Sequence, residues 1–163
     1  MCGITGFINL NGKPVRDTSG ILKMLNVQKH RGPDDSGIRF FSIAAGESVE
    51  IADKHPVTID HNFEGVLGFN RLSILDLTAN GHQPMTSPDN KVILALNGEI
   101  YNAFDFKPEL EEWGYRFKST TDTEVVLALY LKHGFDGLMQ RLNGMFAIVV
   151  IDLGKKEMFI TRD

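Results

Sequence analysis

The chain has 163 residues, of which 42% are hydrophobic and 23% charged, and a net charge of −4. That composition describes one ordinary globular domain able to bury its own core. It offers no basic excess to hold nucleic acid or an anionic membrane surface, and no apolar run approaches the ~20 residues that span a bilayer. One cysteine, Cys2, excludes an internal disulfide and any Cys-x-x-Cys site. The five histidines show no paired ligand spacing, so no metal site is expected. The N-terminus lacks a basic and then apolar leader, and the expected compartment is the cytoplasm.

In chain order, Gly3 to Leu10 reads as a mostly apolar strand closed by the turn pair Asn11-Gly12. Asp17 or Thr18 can cap a helix with Ile21, Leu22, Met24 and Leu25 on one face, ended by Gly32-Pro33. The loop His30 to Gly37 follows, then a strand over 37–43. Residues 44–62 are polar and irregular and read as a long loop or a peripheral hairpin. A strand over 66–74 runs into the turn-rich DLTANGHQPM. Val92 to Leu96 is a continuous apolar run, as in a strand buried on both faces, and Asn97-Gly98 after it carries the strongest short hairpin signal.

Asp105 is placed to cap a helix with Phe106, Leu110 and Trp113 on one side and Pro108 in its first turn. Thr121-x-x-Glu124 reads as a capping box opening a helix that Gly134 ends. A short helix with Phe135, Leu138, Met139 and Leu142 leads to a strand over 145–151 and a return strand over 156–161. Strands and helices do not alternate as in βαβ units, which points to an α+β fold with helices covering mostly antiparallel sheets.

Cys2 carries the chemistry most open to interpretation. An isolated cysteine at the start of a strand is usually a small buried hydrophobe. If Met1 is removed, however, one residue holds both a thiol of pKa about 8.5 and an α-amine of about 7.7–8.0, a base near neutral pH a few bonds from a nucleophile.

Seven segments occur in one order: MCGITG at the N-terminus, HRGPDDSG at 30–37, RLSILDL at 71–77, GHQP at 81–84, NGEIYN at 97–102, TDTE at 121–124 and LNGMFA at 142–147. Together they resemble class II glutamine amidotransferases, and most of all the glutaminase half of asparagine synthetases. The resemblance covers nearly the whole chain except residues 44–62. It implies the N-terminal-nucleophile hydrolase fold, a four-layer αββα sandwich of two antiparallel sheets. It also implies hydrolysis of L-glutamine, with ammonia passed on for amide formation such as asparagine synthesis from aspartate.

The last hairpin stops flush at Asp163, so the domain at 1–163 looks truncated at its C-terminus, and the ATP-using synthetase domain of that family has no counterpart here. No cofactor is expected in this chain; ATP and Mg would belong to the synthetase domain, which is the expected partner. Whether the chain forms a homodimer stays open.

The resemblance implies that Cys2 is the nucleophile, forming a glutamyl thioester, with its α-amine as base. It implies that Asn97 and Gly98 form an oxyanion hole, and the hairpin reading need not compete, since a tight turn can present both groups. It assigns the substrate α-carboxylate to Arg71, otherwise a surface arginine at a strand end, with backbone groups around Ile74 and Leu75 in the same pocket. Asp122 and the Glu99 region would hold the α-ammonium; an aspartate in the first turn of a helix is also favourable without any ligand. His30, Arg31 and Asp34 are expected to order the loop beside the pocket. Phe69 and Asn70 depart from the family pattern before RLSI. Two alternatives therefore stand: an amidotransferase for another carboxylate acceptor, such as a surface-polysaccharide sugar acid, or a non-catalytic glutamine-binding module that retains Met1.

Overall fold

The structure, a computed structural model, describes residues 2–53 and 55–163. Period-two burial on both faces of the central strands organises it. In β6 (Val92–Ile100), Val92, Leu94 and Leu96 enter one core while Ile93 and Ala95 enter another. In β7 (Gly144–Asp152), Ile148 and Val150 join the first and Val149 and Ile151 the second. A strand that is apolar at every position must be covered on both sides.

The covering elements supply four layers. One sheet has the order β1-β4-β2-β3, from β1 (Gly3–Ile8), β4 (Gly65–Arg71), β2 (Asp35–Ser42) and β3 (Glu47–Glu50). The other has the order β5-β6-β7-β8, with β5 at Met85–Thr86 and β8 at Glu157–Arg162. All pairings are antiparallel. Helix α1 (Ser19–Val27) lays Ile21 and Leu25 on Ile38, Phe40 and Val66 of the first sheet. Phe41, Leu67 and Phe69 meet Ile93, Ala95, Val149 and Ile151 between the sheets. Helices α2 (Lys107–Glu112) and α3 (Asp122–Met139) cover the far face of the second sheet through Leu110, Val125, Val126 and Leu129. The expected αββα sandwich is thus present. Edge strands β1 and β8 border an apolar groove of about 460 Å³ between the sheets, lined by Ile4, Ile8, Leu67, Val149, Met158 and Ile160 among others. Among the described residues no helix is long and apolar enough to cross a membrane.

Several local expectations need correction. Asn97-Gly98 makes no hairpin: both lie inside β6, paired with Ala147 and Phe146 of β7. Asp105 does not cap a helix but sits within a 3-10 turn, Ala103–Phe106, and α2 starts after Phe106 with no side-chain cap. The box at α3 is half formed. Thr121 Oγ1 accepts the Glu124 N–H at 3.2 Å, but the Glu124 carboxylate turns to Lys118 N, Ser119 N and Ser119 Oγ instead of back to Thr121. Residues 44–62 do contain a hairpin strand, β3, and α3 does break at Gly134, whose φ of 69° leaves the helical region. Lys54 lies outside the described residues.

Candidate active site

Strand β1 begins directly after Cys2, and its register with β4, Gly3 opposite Asn70, sets the thiol beside the chain that leaves β4. Cys2 Sγ accepts the Leu72 N–H at 3.3 Å and approaches the Leu72 carbonyl at 3.7 Å. The Cys2 carbonyl accepts from Arg31 Nε at 2.9 Å. Asp34 Oδ2 accepts the Ser73 N–H at 2.8 Å, and its own N–H donates to the Arg71 carbonyl at 3.1 Å. The 30–34 loop therefore holds both the nucleophile's backbone and the loop facing it, as expected of Arg31 and Asp34. His30 is exposed, its ring beside the Val27 carbonyl, and takes no part in this.

The thiol lies on a cavity of about 170 Å³ that both sheets enclose. Cys2 and Arg71 come from the first sheet, Leu96, Gly98, Glu99 and Met145 from the second, Ile74, Leu75, Gly81 and Gln83 from the β4–β5 connection, and Thr121 to Thr123 from the start of α3. Along the outer edge of β6 the backbone points alternately. The N–H of Val92 bonds Ser87 Oγ, that of Leu96 bonds Gln83 Oε1 at 2.7 Å, and that of Ile100 bonds Asp122 Oδ2 at 3.0 Å. Tyr101, of the other parity, bonds toward β7 through Asn143. The two-residue repeat of a strand aims the Gly98 N–H to the same outer side, where β5 has already ended and the cavity lies. Gly98 has φ 153°, and a Cβ there would collide with the Met145 carbonyl, so only glycine lets β6 and β7 approach at this point.

Arg71 is not a surface arginine; it is 6% exposed. It donates through Nη1 to the Thr78 carbonyl at 3.0 Å and through Nη2 to the Asp76 carbonyl. Asp76 fixes that loop: its carboxylate accepts from Thr78 N–H, Thr78 Oγ1 and Thr120 N–H at 2.8, 2.6 and 2.9 Å. These donors, the Thr78 hydroxyl foremost, hold its pKa down at about 2.

Asp122 is buried at the first position of α3. Burial pushes its carboxyl above the usual range, the N–H groups of Ile100 and Thr123 oppose that, and the charge of Glu99 adds to it. A cavity with a guanidinium on one wall and a strained carboxyl on another suits a small zwitterion.

Cys2, Arg71, Ile74, Leu75, Gly98, Glu99 and Asp122 thus meet around one cavity. The Asn97 side chain does not line it; the strand pleat places Asn97 in the series of Ile93 and Ala95, on the inter-sheet face toward which Cys2 packs. Its Oδ1 is buried and finds no hydrogen-bond partner among the described residues. Cavity residues absent from the sequence-based set are Leu72, Gly81, Gln83, Leu96, Thr121, Thr123 and Met145. Four of them stand in the GHQP and TDTE strings, which were the available signal. Met1, whose removal a free Cys2 amine requires, lies outside the described residues. Among the described residues no cluster of three or more His, Cys, Asp or Glu is arranged to hold a metal ion.

Comparisons with known proteins point the same way. A family model described as a glutamine amidotransferase domain matches residues 51–163. A putative asparagine synthetase [glutamine-hydrolyzing] 2 of Methanocaldococcus jannaschii is 36% identical, covering 100% of this chain and 30% of that protein. Asparagine synthetase [glutamine-hydrolyzing] 2 of Bacillus subtilis is 35% identical, covering 100% of this chain and 19% of that protein. The chain therefore spans under a third of the length of these relatives. The solved glutamine phosphoribosylpyrophosphate amidotransferase of B. subtilis shares the fold, with a TM-score of 0.69 at 23% identity over 99% of this chain and 36% of that one.

Proposed function

The chain belongs to the glutamine amidotransferase domain family, and on that premise we propose that it hydrolyses L-glutamine to glutamate and ammonia at Cys2. The observation that carries the reading is the placement of the chain's one thiol on a cavity that also holds the outward edge of Gly98, Arg71 and Asp122.

In this reading the substrate α-carboxylate pairs with Arg71, two of whose five N–H donors already brace the loop. The α-ammonium faces Asp122 and Glu99, and its charge offsets the burial that raises Asp122. Backbone at Ile74 and Leu75 closes that end. With Met1 removed, the Cys2 α-amine takes the thiol proton and the thiolate attacks the side-chain carbonyl carbon. The carbonyl π electrons move to oxygen, where the Gly98 N–H meets the developing charge, joined by the Asn97 amide once its side chain turns from the inter-sheet face into the cavity. Collapse of that intermediate expels ammonia, which receives its proton from the α-ammonium of Cys2. Water then attacks the thioester, restoring the thiol and releasing glutamate.

Ammonia made this way would serve an amide-forming synthetase domain, consistent with the names of the relatives. ATP and Mg would belong to that domain and to none of the steps above. A cytoplasmic setting suits a free reactive thiol.

The test is direct. The Met1-free chain, incubated with an electrophilic glutamine analogue, should gain one adduct on Cys2 that glutamine blocks, and should release glutamate and ammonia from glutamine. A Met1-free chain that does neither would show a binding module.

A further inference from the structure

We propose that Gln83 is a positioning residue for this reaction: its side-chain amide acts as a substitute strand that fixes Leu96, and through it holds the Gly98 N–H at the oxyanion position. The inference rests on the glutaminase reading above.

Strand β5 pairs with β6 only at Met85–Leu94 and Thr86–Ile93. One residue earlier stands Pro84, which has no N–H and cannot continue a ladder. Main-chain pairing stops there, just short of the residues that face the cavity. Gln83 takes over with its side chain. Oε1 accepts the Leu96 N–H at 2.7 Å and Nε2 donates to the Leu96 carbonyl at 3.3 Å, the two-way pairing that a peptide group of a neighbouring strand would make. Nε2 also reaches Thr123 Oγ1 at 3.2 Å, tying the same amide to the start of α3.

Farther along, Asp122 holds the Ile100 N–H. The edge of β6 is therefore pinned by side chains at Leu96 and Ile100, and the stretch between the pins is the one that borders the cavity. Leaving that stretch free of a neighbouring strand gives a substrate room. Pinning both ends keeps its N–H direction fixed before substrate arrives, which is what stabilising a transient charge requires.

Only a primary amide meets the requirement at position 83. A hydroxyl cannot pair with Leu96 in both directions from this distance, a carboxylate cannot donate, and an aliphatic side chain leaves the Leu96 N–H and carbonyl unpaired. Gln83 is 5% exposed and itself lines the cavity. A change there should therefore move the oxyanion donor and leave in place Arg71, whose hydrogen bonds go to the Thr78 and Asp76 carbonyls.

The experiment compares the Met1-free chain with Gln83→Leu and Gln83→Glu. Both variants should lose about 10²-fold in kcat, as a displacement near 1 Å commonly costs, with KM for glutamine within threefold. Affinity for an aldehyde analogue of glutamine, whose adduct with the thiol carries the tetrahedral oxyanion, should fall by the same factor, while affinity for glutamate stays unchanged. The ratio of Gln83→Glu to wild-type kcat should rise as the pH is lowered and the carboxyl gains the proton it can donate to Leu96, the Cys2 amine protonating alike in both chains. A merely structural role would lower the melting temperature without this pH rescue.

A kcat within twofold of wild type, or a loss confined to KM, overturns the proposal. If the wild-type chain hydrolyses no glutamine, the functional reading fails, and the amide chemical shift of Gly98 decides the geometric claim by itself. A Gly98 amide resonance displaced in Gln83→Glu, with those of Ile93 and Leu94 unchanged, supports it; an unchanged Gly98 resonance refutes it. Should Gln83→Leu not fold, the isosteric Gln83→Glu carries the test.

Discussion

Gly81 is a glycine because of Arg71: a Cβ built on Gly81 would stand in the guanidinium itself. The 3-10 turn Ala79–Gly81 and the carbonyls of Asp76 and Thr78 form a cradle around that group. Gly81→Ala should therefore displace the guanidinium and raise KM for glutamine about tenfold or more with kcat little changed. Arg71→Lys should do the same, since one ammonium cannot brace two carbonyls and present a planar fork. Initial-rate kinetics on both variants would check it; an unchanged KM in either would remove Arg71 from substrate binding.

Cys2→Ser should reduce glutamate and ammonia release from glutamine to background while the fold is kept, because the Leu72 N–H that the thiol accepts can bond a hydroxyl as well. Circular dichroism and a glutaminase assay on the same sample decide this.

Asn97→Ala should cut kcat by about 10²–10³-fold, the usual cost of one oxyanion donor, with only a small change in melting temperature. Its Oδ1 has no partner to lose. Gly98→Ala should differ by also destabilising the chain, since a Cβ there drives into the Met145 carbonyl at a φ of 153°. A kcat for Asn97→Ala within twofold of wild type would exclude the role.

Burial raises the Asp122 carboxyl from its ordinary 3.8. Below 3.8 both folded and unfolded chains hold the proton, and the group is neutral to stability. As the pH rises from 3.8 through the folded value, the unfolded chain ionises first and stability falls. Relative to Asp122→Asn, the wild type should thus lose stability across that window. In catalysis the sign is opposite, because the substrate ammonium needs the carboxylate. The ratio of wild-type to Asp122→Asn kcat/KM should decline as the pH drops through the raised pKa, because protonation of the Cys2 amine lowers both profiles alike. Rate profiles in acid would show it.

Asp76 behaves in reverse. Hydrogen bonds from Thr78 and Thr120 lower its pKa from 3.8 to about 2. Its contribution to stability is complete above 3.8 and lost as the pH falls through about 2. Asp76→Asn should lower the melting temperature at neutral pH, with the gap to wild type closing near pH 2. A gap that persists there would mean the carboxylate's charge is not what holds the loop.

Much of this architecture is legible in the sequence because burial on both faces writes continuous apolar runs, as at Val92–Leu96 and Met145–Ile151. Asn97-Gly98 misleads for a physical reason. Turn chemistry is a local preference, whereas pairing of Asn97 with Ala147 and Gly98 with Phe146 is a long-range contact that overrides it. The glycine is required, but for close approach of two strands. Spacing alone puts Trp113 on the packed side of a helix and Asp105 at its cap; Trp113 is instead 47% exposed, and Asp105 falls within the 3-10 turn. Gln83 is hidden in sequence because a polar residue in a turn-rich stretch reads as solvent-facing, and only the folded chain reveals the strand edge that it covers.

The cavity draws its nucleophile from one sheet and its strand edge from the other, so neither half of the chain contains a site. Synthesis delivers Cys2 long before β6, and until the layers stack the thiol is an ordinary cysteine with no carbonyl-activating surroundings. Turnover is then an all-or-none report on assembly: a denaturant titration followed by glutaminase activity should trace the docking of the two sheets, and half-folded chains should waste no glutamine.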